Sequence, residues 1–178
     1  MSHVFGAAGQ TGLIVRDIDS ALKHWIALGV GPWFYRDRID FRDFTYRDQA
    51  CDVEVSVALA NSGAMQFELI QPRNDARSIY NDFLRSGREG IHHLGFLTRT
   101  FDADKARYDS LGMRPVMRCR VGDSPDCILF YEPSGTDGVA AEIIELSGGK
   151  GRVFDRIRQA ADGWSGDRPI RDFAEVMG

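Results

Sequence analysis

Gln10-Thr11-Gly12-Leu13 returns in altered form as His92-His93-Leu94-Gly95-Phe96, and this near-repeat decides the fold. The shift that lays Gln10 on His93 also lays Gly12 on Gly95, Asp19 on Asp102, Leu28-Gly29 on Leu111-Gly112, and Pro32 on Pro115. A second echo joins Phe67-Glu68-Leu69 to Ile144-Glu145-Leu146. A duplicated unit of this length implies two similar modules packed together. The matched polar residues, Gln10, Glu68, His93 and Glu145, all carry atoms that can ligate a metal, so the repeat bears on function as well as on fold.

Working outward, each half reads as strand, helix, then three strands. Residues 8–15 are strand-like; Asp17 or Asp19 offers an N-cap, and Leu22, Trp25 and Ile26 fall at helical spacing before the stop at Gly29. A short strand is expected at 33–36, then a half-buried strand over 52–60 and a hairpin through Asn61-Ser62-Gly63 into 65–71. Asp75 is placed to cap a linking helix over 76–86 that ends at Gly87. The second half repeats the order with strand 91–98, helix 102–111 and strands 115–121, 126–132 and 139–146. This predicts one α+β domain over 1–148, built of two βαβββ modules at about 8–71 and 91–148. The tail 149–178 is a helical extension whose apolar face, Val153, Ile157, Ala160 and Ala161, covers a sheet or a partner; 169–178 is expected to be loose.

The bulk composition excludes several classes. With 43% apolar and 27% charged residues in 178, the chain reads as an ordinary soluble globular protein. It has no apolar run long enough for a membrane span and no secretory signal, and its net charge of −4 without a basic stripe argues against nucleic acid. The odd cysteine count (Cys51, Cys119, Cys127), without CxxC spacing, reads as reduced thiols in a cytoplasmic protein.

Alternation on a strand puts Gln10, Gly12 and Ile14 on one face, and His93, Gly95 and Leu97 on the equivalent one. The neighbouring glycine clears space beside each polar group. Glu68 and Glu145 are flanked by large apolar residues; if both face inward, their charges need a cation or shared protons. Two carboxylates, an imidazole and an amide oxygen suit one divalent ion: Zn, Ni, Co, Mn or Fe(II). Glu142, of opposite parity to Glu145, is expected to face outward, and His92 to point away from the site.

The segments Gln10 to Gly29, Met65 to Asp75 running on to Gly90-Ile-His-His-Leu-Gly-Phe96, and Ala141-Glu-Ile-Ile-Glu-Leu146 resemble the vicinal oxygen chelate (glyoxalase-like) superfamily, and within it the methylmalonyl-CoA epimerase-like branch. The resemblance spans about 8–148. It implies paired modules curling around a shared cleft, with a metal held by Gln10, Glu68, His93 and Glu145. It differs from the epimerases in Gln10, where they usually have His, and in Glu68, where they often have Gln. The set Gln/Glu/His/Glu is more like that of some zinc glyoxalases I, and Gln10 argues against ring-cleaving oxygen chemistry.

Such a site implies a metal-dependent isomerase, epimerase or lyase working through a stabilised enolate on a carbonyl or CoA-thioester substrate. Glu145 is the first candidate base and Glu54 the second. The alternatives are a glyoxalase I-like lyase and a metal-free small-molecule binding protein. Trp33-Phe34-Tyr35 and Phe41, Phe44 and Tyr46 offer apolar walls, Arg118 and Arg120 a grip on an anion, and the Arg- and Asp-rich 37–50 a loop over the cleft or a subunit contact. A homodimer is expected.

Overall fold

The strands that open the two repeats, β1 (Ala8–Ile14) and β7 (Gly90–Thr98), run antiparallel at the centre of one mixed sheet. The structure is a computed structural model that describes residues 4–122, 124–125, 127–132 and 138–177. The first half supplies α1 (Ile18–Ala27), β2 (Trp33–Arg36), β3 (Phe41–Tyr46), β4 (Gln49–Ala50), β5 (Val55–Ser62) and β6 (Met65–Pro72). A linking helix α2 (Ile79–Arg85) leads into β7, then α3 (Phe101–Ser110), β8 (Met117–Val121), β9 (Cys127–Tyr131) and β10 (Ala140–Glu145). The tail forms α4 (Lys150–Ala161), β11 (Ile170–Asp172) and α5 (Ala174–Met177).

The fold is α+β, two βαβββ modules in a curled mixed sheet of order β11-β2-β5-β6-β1-β7-β10-β9-β8-β3-β4. Each half repeats one pairing rule: β1 runs parallel to β6, and β7 parallel to β10. The register repeats as well. Gly12 stands opposite Glu68, and Gly95 opposite Glu142.

Local chemistry explains the helix starts. Asp17 caps α1, its Oδ1 accepting from the amides of Asp19 (3.0 Å) and Ser20 (3.1 Å). α2 is capped by Ser78, not Asp75; Ser78 Oγ accepts from the Asn81 amide at 3.1 Å, so the helix begins later than expected. The segment 37–50 is not a free loop, although Ile39 and Phe41 do border the cleft. Its strand β3 crosses to the other module and pairs with β8. The first residue of the expected strand 126–132 lies outside the described residues. All three cysteines are free thiols.

β5 was expected to be half-buried, yet Val55 to Asn61 are buried on both faces. Ala58 and Ala60 pack beneath α1 with Trp33 and Leu69, whereas Val55, Val57 and Leu59 face α4. The tail therefore lays its apolar face on the sheet of its own chain. Nor is the far tail loose up to Met177. The Trp33 amide donates to Pro169 O (2.8 Å), the Phe173 amide donates to Tyr35 O (3.0 Å), and Val176 is buried; Gly178 lies outside the described residues. Among the described residues no helix is long and apolar enough to cross a membrane.

Ile157 is the fully buried anchor of α4. Ile157→Ala is expected to cost about 2–5 kcal/mol of stability, read by urea unfolding. A loss below about 0.5 kcal/mol would mean that α4 is not docked on the sheet.

Candidate metal centre

Four strands of the central sheet each bring one side chain to a common point: Gln10 from β1, Glu68 from β6, His93 from β7 and Glu142 from β10. His93 Nε2 lies 3.3 Å from Glu68 Oε2 and 3.1 Å from Glu142 Oε2. One ligand atom from each of Glu68, His93 and Glu142 lies within 4.8 Å of the others. The side chains are 15%, 0% and 5% exposed respectively, so the charges have little water around them.

The glycines of the repeat make this convergence possible, each for the other half. Across the β1–β7 ladder Gly12 faces His93 and Gly95 faces Gln10. A Cβ on Gly12 would lie 2.0 Å from His93 Nε2, and one on Gly95 would lie 2.8 Å from Gln10 Oε1. The Gln10 amide is oriented from behind: its Nε2 donates to Gln66 Oε1 at 2.8 Å, and Gln66 Nε2 in turn donates to Asn61 Oδ1 at 3.5 Å. That leaves Gln10 Oε1 aimed into the site. Gln10 Oε1 is buried without a hydrogen-bond partner, and His93 Nε2 and Glu142 Oε2, 3.1 Å apart, satisfy each other only through a proton on His93. Buried polar atoms normally find partners, so an unpaired amide oxygen on the same cavity floor as two carboxylates and an imidazole calls for a ligand. The set O, O, N, O fits a hard-to-borderline divalent ion.

The electrostatics agree. Burial alone would push the His93 imidazole down, but Glu142 and Glu68 beside it hold it up, to about 9. Burial raises the Glu68 carboxyl, and the nearby Glu142 charge raises it further, against the pull of His93. In the metal-free protein a proton on His93 thus takes the place of a cation.

Three expectations are corrected. Glu145 was expected as a ligand and base, with Glu142 turned outward; the structure reverses them. Glu145 lies opposite Thr98, where it accepts from the Cys127 amide at 2.9 Å and from the Ser147 hydroxyl. The sequence echo was aligned three residues out of step. The matching run is Glu68-Leu69-Ile70-Gln71 with Glu142-Ile143-Ile144-Glu145, four positions long against three, and it was legible. Glu54, expected as a second base, is ion-paired to Arg38 at 2.6 Å and does not border the cavity in front of the cluster. His92 does not join the carboxylates, but it does not point away: its Nδ1 lies 3.0 Å from His93 Nδ1.

The cluster forms the floor of a cavity of about 310 Å³. Val55, Val57, Leu59, Ile70 and Ile144 form its walls, and α4 roofs it with Val153 and Phe154. Lys150, Arg152 and Arg156 border it too, basic residues that the sequence reading did not connect with the site. Of the aromatic groups singled out, only Phe41 lines the cavity; Trp33 is core beneath α1, and Tyr46 donates to Asp82 at 2.8 Å. Arg120 pairs with Asp43 on β3, and neither it nor Arg118 borders the cavity.

The sequence profile of the Glyoxalase/Bleomycin resistance protein/Dioxygenase superfamily matches residues 9–130. The chain belongs to that superfamily. Among solved structures it is similar to methylmalonyl-CoA epimerase from Mycobacterium tuberculosis, at 24% identity and a TM-score of 0.56, over 82% of this chain and 91% of that one. It is also similar to a Streptomyces coelicolor methylmalonyl-CoA epimerase variant in complex with 2-nitronate-propionyl-CoA, at 24% identity and a TM-score of 0.55, over 78% and 95%. Among curated protein sequences none matches the chain. At this identity the likeness is one of fold. The superfamily profile ends before α4, so the roof lies outside the matched region.

Two measurements test the cluster. Gly12→Ala forces the His93 ring away and is expected to weaken Zn²⁺ or Co²⁺ binding at least tenfold in a protein that still folds; unchanged affinity in a chelator competition would contradict the geometry. A ligand imidazole must also be bare at the metal, whereas His93, held up to about 9, carries a proton at pH 7. Binding should therefore release about one proton per ion at pH 7, and affinity should climb as pH rises toward 9. Calorimetry in buffers of different ionisation enthalpy reads this directly, and zero release would refute it.

Proposed function

We propose that the chain is a divalent-metal-dependent isomerase or epimerase acting on the carbon beside a carbonyl, with a CoA thioester as the best substrate class. The observation that carries this reading is the gathering of Glu68, His93 and Glu142, with the unpaired Gln10 Oε1, on the floor of an apolar cavity. The fold shared with methylmalonyl-CoA epimerases supports the choice of thioester.

In this reading those four residues hold the ion. A divalent ion there supplies Lewis acidity toward a substrate carbonyl oxygen, which makes a proton on the adjacent carbon easier to remove. The chain's own residues do the rest. Val55, Val57, Leu59, Ile70 and Ile144 hold the acyl group and exclude water, which strengthens every charge interaction on the floor. Glu68 and Glu142 enter from different modules on either side of His93. In this reading one carboxylate accepts the proton and the other returns one to the carbon, the two-base exchange an epimerisation needs. Lys150, Arg152 and Arg156 offer the anionic part of the substrate a cationic rim. Glu145 and Glu54 are given no part in the chemistry.

A second reading, a small-molecule binder without chemistry, draws on the apolar walls. Solvent-deuterium wash-in separates the two. With metal-loaded protein, deuterium should enter propionyl-CoA or methylmalonyl-CoA at the carbon next to the thioester. Glu68→Gln and Glu142→Gln should each lose about 100-fold or more of that rate, and Glu145→Gln should keep it. No exchange into any thioester removes the epimerase reading. Ligand binding that survives metal removal and both substitutions favours the binder.

A further inference from the structure

His92 is the buried residue whose position the proposed chemistry leaves unexplained. Consecutive residues of a strand send their side chains to opposite faces. Here they do not, because β7 carries an extra residue at this point. Gly12 pairs with His93, but the next pair is Leu13 with Ile91, so His92 has no opposite number on β1. Such a bulge re-aims a side chain. The His92 ring is turned back beside its neighbour, and the two Nδ1 atoms meet at 3.0 Å. Aromatic rings fix it there: Phe83 at 4.9 Å, Tyr80 at 6.2 Å and Phe130 at 6.3 Å between centroids.

Two facing Nδ1 atoms at this distance share one proton. One of them donates and the other accepts. The opposite edge of His93, Nε2, is the one between Glu68 and Glu142. If His93 keeps its proton on Nδ1, its Nε2 lone pair is free for a cation. If instead His92 were the donor, Nε2 of a neutral His93 would carry the hydrogen and could not ligate. The His92 ring also borders a separate cavity of about 220 Å³, alongside Asp82, Arg88 and Glu132, where its other nitrogen can keep a proton.

We propose that His92 is a positioning residue: its Nδ1 accepts the Nδ1 hydrogen of His93 and so commits His93 Nε2 to the metal. This inference rests on the metal reading above, but the proton assignment holds with or without an ion. The bulge in β7 is then a feature that aims the acceptor, and the aromatic cage is what keeps it aimed.

Long-range ¹H–¹⁵N NMR of the histidine rings, in metal-free and Zn²⁺-loaded protein, reads where each proton sits. The expected result is a protonated Nδ1 on His93 and a bare Nδ1 on His92 in both states. A proton on His92 Nδ1 in either state overturns the proposal. Two variants then test the consequence. His92→Leu removes the acceptor and is expected to weaken Zn²⁺ affinity about 10–100-fold, whereas His92→Asn keeps an oxygen near the same place and should recover most of the loss. Equal affinities for wild type, Leu and Asn variants would overturn the positioning role. Should wild type bind no Zn²⁺, Co²⁺, Ni²⁺ or Mn²⁺ while the expected tautomers are seen, the metal reading fails and the proton assignment stands.

Discussion

Two carboxylates and an imidazole share a nearly dry point at the centre of this sheet, and the rest of the structure answers to that constraint. A carboxylate left unpaired in such a place costs several kcal/mol, so the site needs a cation or a shared proton. His93 supplies it as a proton in the metal-free state, which is why its imidazole is held up to about 9 despite burial. A divalent ion would supply it with better geometry, taking up the Gln10 oxygen as well.

Duplication delivers the convergence cheaply. Because the β1–β6 and β7–β10 pairings share one register, each module sends one acid to the centre from its last strand. Because β1 and β7 are neighbours, the glycine of each strand makes room for the polar residue of the other. The two halves are not interchangeable. One carries an amide and the other an imidazole, and only the second has the bulge that brings His92 alongside. α4 breaks the symmetry further by roofing the cavity and placing Lys150 over it, near enough to act on the Glu68 charge.

The architecture was legible because it is written twice: the shift joining Gln10 to His93 recurs in the helix stops at Gly29 and Gly112. Gln10 and His93 were legible because a polar residue two positions from a glycine in an apolar strand is hard to place elsewhere, and Glu68 because a carboxylate stands between Phe67 and Leu69. Glu145 and Glu142 were confused because each sits among apolar neighbours and strand parity alone cannot say which face is inner. The cross-strand register, Gly95 opposite Glu142, settles that, and the longer run Glu68 to Gln71 against Glu142 to Glu145 is the sequence signal for it. Glu54 and Trp33 were misjudged because pairing with Arg38 and burial under α1 are tertiary facts without a local signature. The bulge at His92 is likewise invisible until β1 and β7 are laid side by side.

The most direct test of the central claim is a crystal structure of the Co²⁺- or Zn²⁺-loaded protein with anomalous data at the metal edge. The expected result is one peak within about 2.0–2.3 Å of His93 Nε2 and of oxygens from Gln10, Glu68 and Glu142. A peak at Glu145 instead, or none between those four side chains at full metal loading, would contradict the account.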